Sequence, residues 1–398
     1  MASIQYREIE GHSGAYVALL GLLGALILAG LGATWYMEHN GHHVTGMSNR
    51  IVWGVPHVFA IFLIVAASGV LNVASIASVF GRELYKPLAR LSALLAITLL
   101  SGGLAVLVLD LGRPERLIVA MTHYNFKSIF AWNIFLYTGF YAIVAAYLWT
   151  MFERRMNDYI KPAGLFAFVW RLVLTTGTGS IFGFLVAREP YDSALLAPLF
   201  IIMSFSFGLA VFVLVLMAAC RWAGRPLGDV MLVRLKNLLG VFVGAVLYFV
   251  AVQHLTNLYI ARRHDVENFF LWDGGVYTAL FWLGQVLIGS VLPLALLLGT
   301  TSRRALAAAA ACVIAGGFAQ LYVLIIGGQA YPQLMFPEKE VASSFFDGVV
   351  AAYAPSLPEV ALGVGGVALA LALTAVALKV LPFLPRSLAD GEVGGGTA

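Results

Sequence analysis

The sequence predicts an all-α integral membrane protein with ten transmembrane helices, and three observations carry that prediction. Of 398 residues, 61% are hydrophobic and only 11% charged, against roughly 45–50% and 25% in an average soluble domain. The 41 glycines and the aromatic residues sit inside long apolar runs rather than between them, as in helical membrane bundles. Ten separate segments also reach the length needed to cross the hydrocarbon core, about 20 apolar residues.

Those segments cover about 14–37, 51–80, 89–111, 128–150, 163–186, 193–220, 235–259, 275–299, 304–328 and 358–382. The first follows the polar stretch MASIQYREIEGHS and lacks an A-x-A cleavage pattern, so it reads as a retained anchor rather than a cleaved signal peptide. Charged loops separate the rest. Arg82, Lys86 and Arg90 lie between the second and third, Arg154, Arg155 and Lys161 between the fourth and fifth, and Arg221, Arg225, Arg234 and Lys236 between the sixth and seventh. An even number of spans puts both termini on one side. Lys and Arg number 15 on that side and 8 on the other, with Arg171 left inside the fifth span. The positive-inside bias therefore places both termini in the cytoplasm.

The longest connection, Gly328 to Leu357, is on the outer side in this topology and contains Pro332, Pro337, Lys339 and Pro355. Loops of that length in compact proteins are usually functional or partner-binding. The end of the chain, 383–398 with its terminal GEVGGGTA, reads as a flexible cytoplasmic tail. The net charge of +4 is small and dispersed, which excludes nucleic acid as a partner. Cys220 and Cys312 stand alone in apolar sequence, so they form no C-x-x-C pair, iron–sulfur site or disulfide framework. A metal redox centre would have to come from histidines or another subunit.

Polar chemistry concentrates at the outer leaflet. His39, His42, His43, His57, His123, His254 and His264 map there, with Asp110, Arg113, Arg188 and Glu189. Interfacial loops tolerate His39, His42, His43 and His264, but His57 and His254 lie within apolar helices, where an ionisable group is expensive and signals function. In LDLGRPERL, Leu109 to Leu117, Asp110 sits about a helical turn inside the membrane and Arg113 shares its helix face. The pair reads either as a proton-cycling carboxylate or as a structural clip. MTHYNFKS then adds His123, Tyr124 and Lys127 to the same surface. In the fifth span, TTGTGSIFG (Thr175 to Gly183) sets hydroxyls, among them Thr178 and Ser180, between glycines that allow close approach of a helix or a flat ligand. Arg171 lies about two turns inside the cytoplasmic end of that span, relieved by snorkelling or by a hydrated proton path. Haem ligation would need paired histidines at both leaflets, and the cytoplasmic half offers none in its helices. No metal, haem or iron–sulfur site is therefore expected in this chain.

LDLGRPERL followed by YNFKSIFAWN resembles the NrfD-like family of polysulfide-reductase membrane subunits. The ten-span layout, with MEHNGHHVTG, TTGTGSIFGFLVA and IIGGQAYP, is most similar to its DsrP-like branch, found in sulfite-reductase-associated transmembrane complexes. The resemblance implies two four-helix bundles, 51–186 and 193–328, flanked by one helix at each end. It also implies a quinone site near the outer leaflet, taking menaquinone or ubiquinone, and a periplasmic ferredoxin-like iron–sulfur subunit exchanging electrons with it. Further implied partners are a multihaem cytochrome c, a second membrane subunit of cytochrome b type and a cytoplasmic iron–sulfur subunit, in dissimilatory sulfur metabolism. His57 matches the family's quinone-binding histidine by position, and Asp110 and Arg113 match its motif. The family's quinone-contacting tyrosine falls near Thr178.

The combined expectation is a quinone site with His57, Asp110 and Arg113 as catalytic groups. His123, Tyr124, Thr178 and Ser180 would border the ring, and Arg171 and His254 would lie on a proton path. Asn40 to Arg50, the Arg113 to Lys127 loop and the Gly328 to Leu357 loop would dock the iron–sulfur subunit. The competing classes are a secondary transporter or channel, disfavoured because the ionisable groups gather at one leaflet rather than the midplane, and a purely structural anchor.

Overall fold

The computed structural model describes residues 4–333 and 348–393. Among these, ten helices are long and apolar enough to cross a membrane: α1 Gly14–Asn40, α2 Val55–Ser78, α3 Glu83–Leu109, α4 Ile129–Phe152, α5 Arg154–Gly183, α6 Leu196–Trp222, α7 Asp229–Tyr259, α8 Val276–Gly299, α9 Arg303–Ala330 and α10 Leu357–Val380. The protein is an all-α integral membrane protein. Lipid offers no partner to a backbone N–H or C=O, so a helix that satisfies its own backbone is how such a segment crosses. Polar residues mark where several helices begin. Ser13 and Ser128 accept from the backbone N–H groups of Tyr16 and Ala131, and Ser356 with Glu359 forms a reciprocal cap on α10.

Helix α2 is the centre of the molecule: 83% of its apolar window is buried, against 17% for α1. It packs on α3, α5, α6 and α10. In the first half, α2 meets α3, α3 meets α4, α4 meets α5, and α5 returns to α2; in the second, α6, α7, α8 and α9 touch in the same cyclic way. The halves meet where α2 crosses α6. There a Cβ on Gly69 would fall 1.5 Å from the Ser204 carbonyl oxygen, and one on Gly208 would fall 2.2 Å from the Val70 nitrogen. Glycine is what lets these backbones touch. Helices α1 and α10 lie together, with α10 against α3, so both terminal helices stand beside the first half.

Both termini reach the same face. Strand β1, Tyr6–Arg7, pairs antiparallel with β2, Leu384–Pro385, and the Arg225 guanidinium donates to the carbonyls of Arg7, Glu8, Leu384 and Pro385. Asp390 accepts from the N–H groups of Asp229 and Val230 at the start of α7. The described part of the expected tail is therefore tied down, because its carbonyls and Asp390 serve donors from neighbouring segments. Residues 394–398, and the part of the long loop holding Pro337 and Lys339, lie outside the described residues.

The second half departs from regular α geometry. Phe269–Asp273, Leu280–Val291 within α8 and Val323–Gly327 within α9 are π-helical. Such wider turns displace side chains from the α register and recur at functional sites.

Candidate functional site

At the face opposite the termini, the start of α2 is built by residues distant in sequence. The Gln329 side chain accepts from the N–H groups of Val52 and Trp53 and donates to the Trp53 carbonyl. Val55 N–H donates to the Tyr353 hydroxyl (2.7 Å), which donates to Glu359 Oε1 (2.7 Å). Glu359 is wholly buried, and its other oxygen accepts from Gly46 and Ser356 N–H groups. Burial and the carboxylate beside it push the Tyr353 hydroxyl above its ordinary pKa. With Pro56 in its first turn, α2 thus begins at a fixed point, and that point aims His57.

His57 Nδ1 lies 2.9 Å from Asp110 Oδ2, the carboxylate fully screened and the imidazole side chain 17% exposed. The contact is an ion-pair approach without hydrogen-bond alignment, and neither Asp110 oxygen has a hydrogen-bond partner among the described residues. Asp110 is the residue on which α3 ends. Gly112 then turns the chain with φ +69°, which suits glycine, and the His42 ring sits so close that a Cβ there would meet it at 3.0 Å.

The expected Asp110–Arg113 partnership is not formed. The helix stops at Leu109, so the three-residue spacing no longer follows a helix face; Arg113 makes no ion pair with Asp110 among the described residues. Its place beside Asp110 is taken by His57.

Around His57 stand aromatic rings that motif reading missed. Trp53 stacks on His57 with ring centres 6.0 Å apart, and is itself bordered by Phe182 at 5.6 Å, Phe130 at 6.0 Å and Tyr191 at 6.4 Å. Trp53 lies four residues before His57, a spacing that was readable. The others come from three different segments and carried no local signal.

The remaining expected residues divide. Ser180 and Thr178 are buried in α5, two turns or less from Phe182. Thr178 Oγ1 donates to the Leu174 carbonyl, within its own helix, and the Tyr137 side chain of α4 lies beside it. Gly177 and Gly179 face Leu136 and Ala197, which is helix packing. His123 is exposed and contacts only Thr122 Oγ1 (3.1 Å) among its hydrogen-bond partners, while Tyr124 donates to the Ala131 carbonyl and packs on Phe135. Neither reaches the His57–Asp110 pair through a hydrogen bond. Arg171 does not snorkel: α5 begins at Arg154, so the residue is deeper than expected and wholly buried. It donates to Asn72 Oδ1 (2.9 Å) between the rings of Phe168 and Phe205. Two of its guanidinium nitrogens, Nε and Nη1, have no hydrogen-bond partner among the described residues, and none of its contacts reaches the His57–Asp110 pair.

His254 also has a carboxylate partner. Its Nδ1 is 2.6 Å from Glu267 Oε2, and Asn257 Nδ2 donates to Glu267 Oε1 at 2.7 Å. Glu267 comes from a short helix, His264–Asn268, after α7. Among the described residues, no group of three or more His, Cys, Asp or Glu side chains could hold a metal ion.

Nδ1 faces the Asp110 carboxylate, so Nε2 is the imidazole nitrogen left to exchange a proton with whatever stands before it. The aromatic wall offers a flat ring a surface to lie on. The site is thus suited to a planar molecule that gains or loses protons.

The chain is 31% identical to the Hdr-like menaquinol oxidoreductase integral membrane subunit of Archaeoglobus fulgidus, over 98% of this chain and 99% of the relative. It is 26% identical to a putative dimethyl sulfoxide reductase membrane subunit of Halobacterium salinarum, over 93% and 92%. With a polysulfide reductase polypeptide of Wolinella succinogenes it shares 24% identity over 62% of this chain and 83% of the relative. The family model described as polysulphide reductase, NrfD, matches residues 43–333, and the chain belongs to that family.

Proposed function

We propose that this protein is the quinone-reacting membrane subunit of an electron-transfer complex, passing electrons between the quinone pool and an iron–sulfur subunit on the periplasmic face. The observation that carries the reading is the His57–Asp110 pair, at 2.9 Å, set under Trp53 where α2 begins. Relatives named as parts of menaquinol, sulfoxide and polysulfide enzymes support it, and the one whose name carries a quinone names menaquinol. Sulfur metabolism, and a partner set with a multihaem cytochrome c, a second cytochrome b-type membrane subunit and a cytoplasmic iron–sulfur subunit, rest on the resemblance alone. The cytoplasmic placement of the termini rests on the Lys and Arg asymmetry.

In this mechanism a quinol losing two electrons to the partner also loses two protons. The first passes from a ring hydroxyl to His57 Nε2, and Asp110 stabilises the resulting imidazolium from the opposite side of the ring. The second leaves to water at the same face. Reduction of a quinone runs the same steps backwards. Arg113, four residues beyond Leu109 where the helix ends, belongs with the surface that meets a partner rather than with the reacting ring.

A photoreactive menaquinone analogue tests the reading. Labelling should fall on peptides containing Trp53 to His57 and Asp110, and disappear when menaquinone is added in excess. Labelling confined to α7 and α8 would overturn it.

A further inference from the structure

The second half of the molecule contains a cavity that the quinone reading leaves without a task. Its volume is about 50 Å³, and it is lined by Gln253, His254, Asn257, Glu267, Gln285 and Gln320 together with apolar side chains. That volume is far below the roughly 300–1,000 Å³ of a small-molecule site. It matches a few water molecules, each needing about 10–15 Å³ of such space. Gln253, Gln285 and Gln320 are 9%, 7% and 6% exposed, and their amides make no side-chain hydrogen bond among the described residues. Among the described residues, none of their amide atoms is sealed off without a partner, and three that line one small space can share water held there.

The backbone is shaped for this space. All three π-helical stretches contribute to its wall: Phe270 from Phe269–Asp273, Phe281 and Gln285 from Leu280–Val291, and Val323 and Leu324 from Val323–Gly327. A π turn rotates the residues after it relative to an α turn, which is how Gln285 comes to share the cavity with Gln320 of α9.

We infer that this cavity is a hydrated proton-binding site, in which ordered water and the His254–Glu267 pair hold one exchangeable proton. A bare carboxylate there, 1% exposed among neutral amides, is costly. A proton on the imidazole 2.6 Å away turns a net charge of −1 into an internally neutral pair. The proton comes from water at the face opposite the termini and returns to it, so no other reactant is needed. A charged cluster adjoins the pair. Arg263 donates to Asn257 Oδ1 at 3.1 Å and to Asp192, and Arg262 lies 4.0 Å from the same Asp192 carboxylate. These are the charged groups that face the pair from this side. The walls from α6, α8 and α9 supply only neutral side chains to the lining. Pro190 lines the cavity and the next residue, Tyr191, packs on Trp53, so the two sites share one wall.

Infrared difference spectra of the purified complex, stripped of quinone and titrated across roughly pH 5–9, test this in H₂O and D₂O. Wild type should show a titrating imidazole and carboxylate signal with weakly bonded water bands. His254→Gln and Glu267→Gln should each remove the titrating signal, and Gln285→Leu should remove the water bands alone. Asp110→Asn should leave all of these in place, which separates this site from the quinone reading. A wild type without the water bands would overturn the inference. So would a titrating signal that survives both pair variants in folded protein, or that is lost only in Asp110→Asn.

Discussion

The two halves of the molecule place the same chemical pair on the same face and surround it differently. His57 with Asp110 and His254 with Glu267 each join a half-buried imidazole, 17% and 19% exposed, to a carboxylate that is 1% exposed. Asp110 has no hydrogen-bond donor aligned on it among the described residues, and its imidazole is covered by an indole. Glu267 accepts from Asn257 and from His254, and its cavity is walled by amides. An aromatic surround suits a flat apolar ring, and a polar one suits water. The pairing alone does not specify a task; the neighbours brought by other helices do.

The comparison breaks most severely at the seam that holds the halves together. Gly69→Val places a branched side chain where even a Cβ meets the Ser204 carbonyl. Overpacking of this kind costs about 3 kcal/mol or more. The variant is expected to lose thermal stability by many degrees in detergent, with both sites disrupted together; an unchanged melting temperature would show that the α2–α6 crossing is looser than described.

The next effect separates the halves. His57→Ala removes the proton acceptor of the first pair and is expected to lower quinol turnover ~100-fold or more, with the protein still assembling. Stopped-flow quinol oxidation by the isolated complex reads this, and wild-type rates would move the reacting site elsewhere, with the second half the next place to look.

A milder version sharpens the assignment of roles. Asp110→Asn keeps the shape behind Nδ1 but removes the charge that stabilises an imidazolium. Its kcat is expected to fall ~10–100-fold with a much smaller change in KM. A rise in KM alone would make Asp110 a binding group.

The smallest effect concerns the scaffold that aims His57. Tyr353→Phe removes the donor to Glu359 and the acceptor of Val55 N–H, a loss of about 1–3 kcal/mol. Because the folded hydroxyl holds its proton more tightly than the ordinary value of 10.0, its contribution is complete below that pH and is lost as the pH rises above it. Alkaline thermal melts should therefore fall above pH 10 more steeply in wild type than in Tyr353→Phe. Parallel curves would show that another group controls the alkaline limit.

Much of this organisation was legible in the order of residues. The ten spans appear within a few residues of their expected limits at most ends, because apolar length is a local property that lipid enforces. His57 and Asp110 stood out as ionisable groups in or at the ends of apolar helices. What stood beside them was misread: spacing along LDLGRPERL suggested Arg113, whereas the partner is His57, from another helix. Trp53 was within reach of a spacing argument, but Phe130, Phe182, Tyr191, Tyr353 and Gln329 were not. Glu267, in no motif, was not singled out.

The sequence by itself determined how many helices cross, roughly where each begins, which family motif closes α3 and which side chains can carry a proton. Only the tertiary structure decided that α2 is central, that Asp110 turns to His57 and Glu267 to His254, and that one pair is walled by aromatic rings and the other by amides. The physical reason lies in the solvent. In water an amphipathic helix marks its inward face with a stripe of apolar residues, but these helices are apolar all round, because lipid accepts the same side chains as the core. Which faces meet is then settled by shape, by glycines that admit a neighbouring backbone and by polar groups seeking partners across helices, and none of these is written in any single segment.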